Sequence, residues 1–122
     1  MIAVKDRTVL NSLLDVSFDP ILMRIIWWID ESWPDLLTIT CGYRRGDIGS
    51  VHATIPCRGI DIRSWVYKDP WKVARRINKE WIYDPERPEE KVCKLHDSGS
   101  GYHMHIQSHA NTRRRLDEEF LE

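Results

Sequence analysis

Three of the five histidines of this chain, His96, His103 and His105, fall within ten residues of one another. His103 and His105 are separated by a single residue, and on a strand that spacing projects both rings to one face. Further up the chain His52 and Asp61 lie nine positions apart, in a stretch (residues 36–61) that also carries Arg44 and Arg45 in a turn. Neutral imidazoles together with one carboxylate are the ingredients of a mononuclear zinc site. A catalytic zinc commonly takes three protein ligands and leaves a fourth position for water. Such a water becomes a nucleophile near neutral pH, and the metal polarises the carbonyl under attack. The pattern predicts a small zinc hydrolase.

The elements that must hold these residues are legible to different degrees. Residues 2–10 read as a short strand and residues 11–16 as a short helix or turn. Asp19 is a plausible N-cap, and Pro20 is preorganised for the first helical position. Leu22, Ile25, Ile26 and Ile29 then recur at helical spacing, so a core helix is predicted up to Trp33 and Pro34. Residues 36–41 read as a strand and residues 60–67 as another, with Gly59 allowing close backbone approach in front of it. Asp69 and Pro70 repeat the cap-then-proline signature and open a second helix to about Ile82. Residues 84–90, with Pro85 and Pro88, read as an exposed loop. A hairpin is predicted last: residues 92–97, a four-residue loop at 98–101, and a return strand at 102–109. In that register Asp97 faces Tyr102 and His96 faces His103. His96, His103 and His105 then share one side, with Gln107 and His109 continuing the row. Residues 111–122 read as a terminal helix anchored by Leu116 and Phe120.

Length and composition bound the functional classes. A chain of 122 residues with 42% hydrophobic and 30% charged content is expected to be one domain, residues 1–122, with one core. A net charge of -1 supplies no global field toward nucleic acid or anionic membrane. Arg113, Arg114 and Arg115 are followed at once by Asp117, Glu118 and Glu119, as on a solvated helix face. No secretory pattern opens the chain and no apolar run reaches membrane-spanning length. Cys41, Cys57 and Cys93 are an odd number at no metal-finger spacing, which predicts buried free thiols and folding in a reducing cytoplasm. Most of the six tryptophans are expected in the core or in pocket walls.

The run Thr38-Ile39-Thr40-Cys41-Gly42-Tyr43-Arg44-Arg45, then Ser50-Val51-His52, then Arg58-Gly59-Ile60-Asp61-Ile62 resembles the signature of D-alanyl-D-alanine carboxypeptidase-type zinc peptidases. That family has Ser-Gly-Tyr-Arg, then Ser-x-His, then Gly-(Arg/x)-Ala-x-Asp. The later Gly101-Tyr102-His103-Met104-His105-Ile106-Gln107 is more similar to the Ser-Thr-Gly-Pro-His-Leu-His-Phe-Glu run of lysostaphin-type peptidases. The two groups share a fold superfamily with the hedgehog domain, and the resemblance covers roughly residues 19–107. It implies an α+β fold with a central antiparallel sheet, flanking helices and a zinc groove. It implies zinc held by His52, Asp61 and His105, with His103 and His96 assisting catalysis. Arg44 would position a substrate carboxylate, and Ser50 would hydrogen-bond near the site. The implied substrate is a peptidoglycan stem or cross-link peptide, cut by a phage-type lysis enzyme that acts at the cell wall after release.

The chain departs from that pattern in three places. His52 and Asp61 are nine apart rather than seven, so a segment with Pro56 and Cys57 must bulge between them. Cys41 replaces a serine. Tyr102 stands where the carboxypeptidase type has a glutamate, so an imidazole must act as the base. Two rival readings follow. One is a non-catalytic relative that keeps the fold and the metal to bind a ligand. The other is a nickase, since His103-Met104-His105 is also a histidine-hydrophobic-histidine pattern, with Tyr43, Tyr67 or Tyr83 as its nucleophile.

Overall fold

A computed structural model of the chain describes residues 1–97, 99 and 101–115. Within them the fold is α+β, built on a five-stranded sheet: β1 (Ile2–Val4), β2 (Leu37–Cys41), β3 (Gly59–Arg63), β5 (Cys93–Asp97) and β6 (Tyr102–Gln107) in the order β1-β2-β3-β6-β5. Three helices, α1 (Arg7–Leu14), α2 (Pro20–Ser32) and α3 (Pro70–Glu80), complete it, with a small second sheet of β4 (Trp81–Ile82) and β7 (Arg113–Arg114).

The sheet is mixed rather than antiparallel throughout. β1 runs parallel to β2, while β2, β3, β6 and β5 pair antiparallel in turn. Two helices separate β1 from β2 in sequence, and such a helical crossover is what a parallel pair requires. The first helix also starts earlier than expected. Asp6 accepts from the Val9 N–H at 2.9 Å, a cap that ends the strand at Val4 and opens α1 at Arg7. Asp19 and Asp69 cap α2 and α3 in the same way, each followed by proline.

Strict alternation on β3 and β6 divides the sheet into two faces. Ile60, Ile62, Met104 and Ile106 are fully buried and join Leu22, Ile25, Ile26 and Ile29 of α2 and Ile77 of α3 in one core. Asp61, Arg63, His103 and His105 take the intervening positions and face the other way. Burial of the isoleucine face fixes the register, because a slip of one residue would drive the charged set into the core.

Other expectations shift as well. The strand expected over 60–67 stops at Arg63, where Ser64 starts a turn that turns Tyr67 into the core. Trp81 and Ile82 leave the helix to form β4, paired with Arg114 and Arg113. Arg113 and Arg114 are therefore strand, not helix, and residues 116–122 of the terminal helix expected over 111–122 lie outside the described residues. Asp84, placed in an exposed loop, is buried, accepting from the Glu86 N–H and the Asn111 amide.

All three cysteines are free, Cys57 and Cys93 buried and Cys41 half-buried. The tryptophans divide: Trp81 is buried and Trp28 and Trp33 pack on the core, but Trp27, Trp65 and Trp71 are exposed. No helix among the described residues is long and apolar enough to cross a membrane.

Candidate metal centre

β3 and β6 place Asp61 and His105 directly opposite one another. His52 arrives from outside the sheet, on a single 3-10 turn (Val51–Ala53) capped by Ser50, whose Oγ accepts from the His52 N–H at 3.1 Å. Gly59 lets that turn lie on β3. A Cβ at this position would sit 2.7 Å from Val51 Cγ2 and 3.1 Å from the His52 nitrogen. Gly59→Ala is therefore expected to displace His52 and weaken metal binding by at least tenfold, with a smaller loss of thermal stability. Zinc titration of the variant checks it, and unchanged affinity would show that the turn yields freely. The longer spacing between His52 and Asp61 is absorbed here: the segment turns inward, Cys57 is fully buried, and it bridges to Phe18.

Three atoms converge. His52 Nε2 lies 3.1 Å from Asp61 Oδ1 and 3.2 Å from His105 Nδ1, and the last two are 2.9 Å apart. The outer nitrogens fix both tautomers. His52 Nδ1–H donates to the Gly42 carbonyl at 2.8 Å. The Gln107 amide donates to the Lys91 carbonyl at 2.8 Å, so its Oε1 is left to accept from His105 Nε2–H at 3.0 Å. Both inner nitrogens therefore present lone pairs to each other and to a carboxylate oxygen. This is the outer-shell arrangement that orients metal-binding imidazoles.

Such a convergence of acceptors needs positive charge at its centre. Burial alone would lower the His52 pKa, but hydrogen bonds and charge from Asp61, and less so from Cys41, outweigh it and raise the pKa to about 9. Burial would likewise raise Asp61, yet the bonds from His105 and His52 hold its carboxyl well below the usual carboxylate range. One proton cannot satisfy all three contacts. Two would place adjacent imidazolium rings around a single carboxylate, whereas one cation satisfies the set. His52, Asp61 and His105 could hold a metal ion. Two overlapping groups, Cys41 with His52 and Asp61, and Asp61 with His96 and His105, also have one donor atom apiece within 4.8 Å.

The expected hairpin register is present: His96 pairs with His103 and Asp97 with Tyr102. Asp97 Oδ1 accepts from the Gly99 and Gly101 N–H groups and closes the loop. The His96 and His103 rings meet edge to face with centroids 4.4 Å apart, and His103 Nε2 stands 3.9 Å from Asp61 Oδ2. Burial and then the neighbouring His103 lower the His96 pKa. Gln107 continues the row through its bond to His105, but His109 does not. The strand ends at Gln107, Ser108 turns to donate to the Arg58 carbonyl, and the His109 ring lies against Tyr83 and Asp84.

His96, His103 and Asp61 open onto a groove of about 530 Å³, which Cys41 and Arg44 also line. Arg44 is half-exposed and pairs with Asp47 at 3.5 Å. Lys5, Arg63 and Trp65 line the same groove and were not singled out in the sequence. Arg63, two residues past Asp61 on β3, could have been found from the strand period alone. A larger cavity of about 1030 Å³ between α2 and α3 shares no residue with the histidine cluster. Two of the three tyrosines that a nickase would need, Tyr67 and Tyr83, are buried in the core. No family model, curated protein or solved structure matches the chain.

Proposed function

We propose that the chain is a zinc-dependent peptidase of the hedgehog-like fold group, hydrolysing a peptide bond in peptidoglycan stem or cross-link peptides. The observation that carries the metal is the triangle of acceptors described above. Its edges of 2.9 to 3.2 Å are close to the ~3.3 Å edge of a tetrahedron with zinc–nitrogen bonds of about 2.0–2.1 Å. Two imidazoles and one carboxylate are a zinc donor set, and Asp61 lines the groove in which substrate would lie. The peptidase reading rests on the sequence pattern of Arg44, Ser50, His52, Asp61 and the His103–His105 pair, which resembles the motifs of the two peptidase groups named above.

When bound, zinc supplies Lewis acidity, which acidifies water and polarises the carbonyl under attack. The chain's own residues do the rest. His103, facing Asp61 from the groove side, takes the proton of the attacking water and returns it to the leaving amine. His96 packs on that ring and keeps it oriented. Arg44 holds a carboxylate of the substrate by a charge-assisted bond, and Ser50 fixes the turn that presents His52. Among the described residues Asp61 is the carboxylate that lines the groove. That supports the non-catalytic, ligand-binding reading as the alternative.

The test is metal content together with cleavage. Native protein should carry about one zinc per chain, each of the His52→Ala, Asp61→Ala and His105→Ala variants should lose it, and zinc-loaded protein should release product from cell-wall peptides. Metal retained in all three variants would remove the ligand assignment. Binding of those peptides without product would favour the alternative.

A further inference from the structure

The groove beside the metal centre is cationic although the chain as a whole has a net charge of -1. Several basic side chains elsewhere sit against acids, among them Arg45 with Asp15, Arg58 with Asp19, Arg76 with Glu80, and Arg87 and Lys94 with Glu90, and in the groove itself Arg44 sits against Asp47. Lys5 and Arg63 have no carboxylate within ion-pair distance among the described residues, and both line this groove. Among the described residues the one acid on its wall, Asp61, is already engaged by His52 and His105.

Backbone structure holds both cations in place. The Lys5 N–H donates to the Ile39 carbonyl at 2.9 Å, extending β1 along β2 and placing Lys5 at the groove's edge. Arg63 is the last residue of β3, opposite His103, and its guanidinium lies 4.8 Å over the Trp65 ring. Stacking occupies the face of the guanidinium and leaves its N–H edge free for a planar anion. Trp65 itself is 72% exposed and remains open to a bound ligand.

We propose that Lys5 and Arg63 form a second anion subsite, which selects peptides bearing a free carboxylate in addition to the one held by Arg44. The proposal rests on the peptidase reading for the class of substrate. The charge argument stands without it: two cations left open beside a water-accessible cleft attract an anion, and a fork-shaped guanidinium favours a carboxylate. The subsite would discriminate between acidic stem peptides and the same peptides with that carboxyl amidated.

The experiment uses the zinc-loaded chain and two synthetic stem peptides that differ only in whether the inner carboxyl is free or amidated. Affinity is read from tryptophan fluorescence and calorimetry, independently of cleavage, and KM and kcat are read where turnover occurs. The acidic peptide should bind about ten- to a hundredfold more tightly. Lys5→Ala and Arg63→Gln should each reduce that preference by about three- to tenfold, through KM rather than kcat, and the double variant should abolish it. Arg63→Lys should restore part of it, and raised salt should diminish it. Acid-selective binding without hydrolysis would support this subsite while removing the peptidase reading. Equal affinity for the two peptides would overturn the subsite. So would tighter binding of inorganic phosphate or single-stranded DNA than of the acidic peptide, which would make the groove a phosphate site.

Discussion

Replacing His103 with alanine is expected to leave one zinc per chain in place and to slow peptide hydrolysis by roughly two to four orders of magnitude, the usual worth of a positioned acid or base. Both halves of that expectation come from geometry. His103 Nε2 is 3.9 Å from Asp61 Oδ2, too far to be a hydrogen bond, and it stands outside the triangle in which His52, Asp61 and His105 meet. Removing the ring subtracts none of those three donors. It does subtract the imidazole closest to Asp61 on the groove side, and Tyr102 supplies no carboxylate in its stead. His96→Ala separates two roles for the neighbouring ring. A small effect means that His96 only orients His103 through their edge-to-face contact, and a comparable loss means that the two pass the proton as a pair. Full activity in the double variant would place the base elsewhere. Loss of zinc in His103→Ala would instead make His103 a ligand.

The hairpin could be read in advance because its two signals agree. A four-residue loop rich in glycine and serine fixes how the strands meet, and the alternation of His103, Met104, His105 and Ile106 fixes which face is buried. Asp61 was expected in a strand-type stretch, but its place opposite His105 came from the pairing of β3 with β6. His52 could be placed near them only by resemblance, since nothing local in Ser50-Val51-His52 says where a 3-10 turn will land. Its position depends on Gly59 and Gly42, one yielding space and the other a carbonyl. What stayed hidden was non-local. Lys5 reaches the groove because β1 runs parallel to β2, and a parallel pairing of strands separated by two helices leaves no mark on either strand. β4 was hidden likewise, since Trp81 fits the helical spacing of α3 and becomes a strand only through its pairing with Arg114. By contrast, Asp6 was a visible cap, with Val9, Leu10, Leu13 and Leu14 at helical spacing behind it.

Metal and proton compete for one place, and the competition sets a pH dependence with a definite sign. In the metal-free chain the His52 pKa is raised to about 9, against about 6.5 for an unperturbed histidine. A group raised on folding stabilises fully below its unfolded value and ceases to do so as pH climbs through its folded value. Metal-free protein should therefore lose thermal stability between about pH 6.5 and 9. Asp61 does not contribute to that trend. Its carboxyl is lowered on folding, so its share is present throughout this window and is lost only well into acid. Zinc must displace the His52 proton, so its apparent affinity should rise by about tenfold per pH unit over the same range. From pH 6 to 8 that amounts to about two decades, or ~2.7 kcal/mol, and at fixed excess zinc a larger gain in Tm on the order of 10 °C. Thermal unfolding of chelator-treated and zinc-saturated protein at both pH values measures this directly. Metal-free protein should melt lower at pH 8 than at pH 6, and zinc should more than recover the difference. His52→Ala should abolish both trends. An equal gain from zinc at the two pH values would show that no proton leaves on binding, and hence that the metal does not sit between His52, Asp61 and His105.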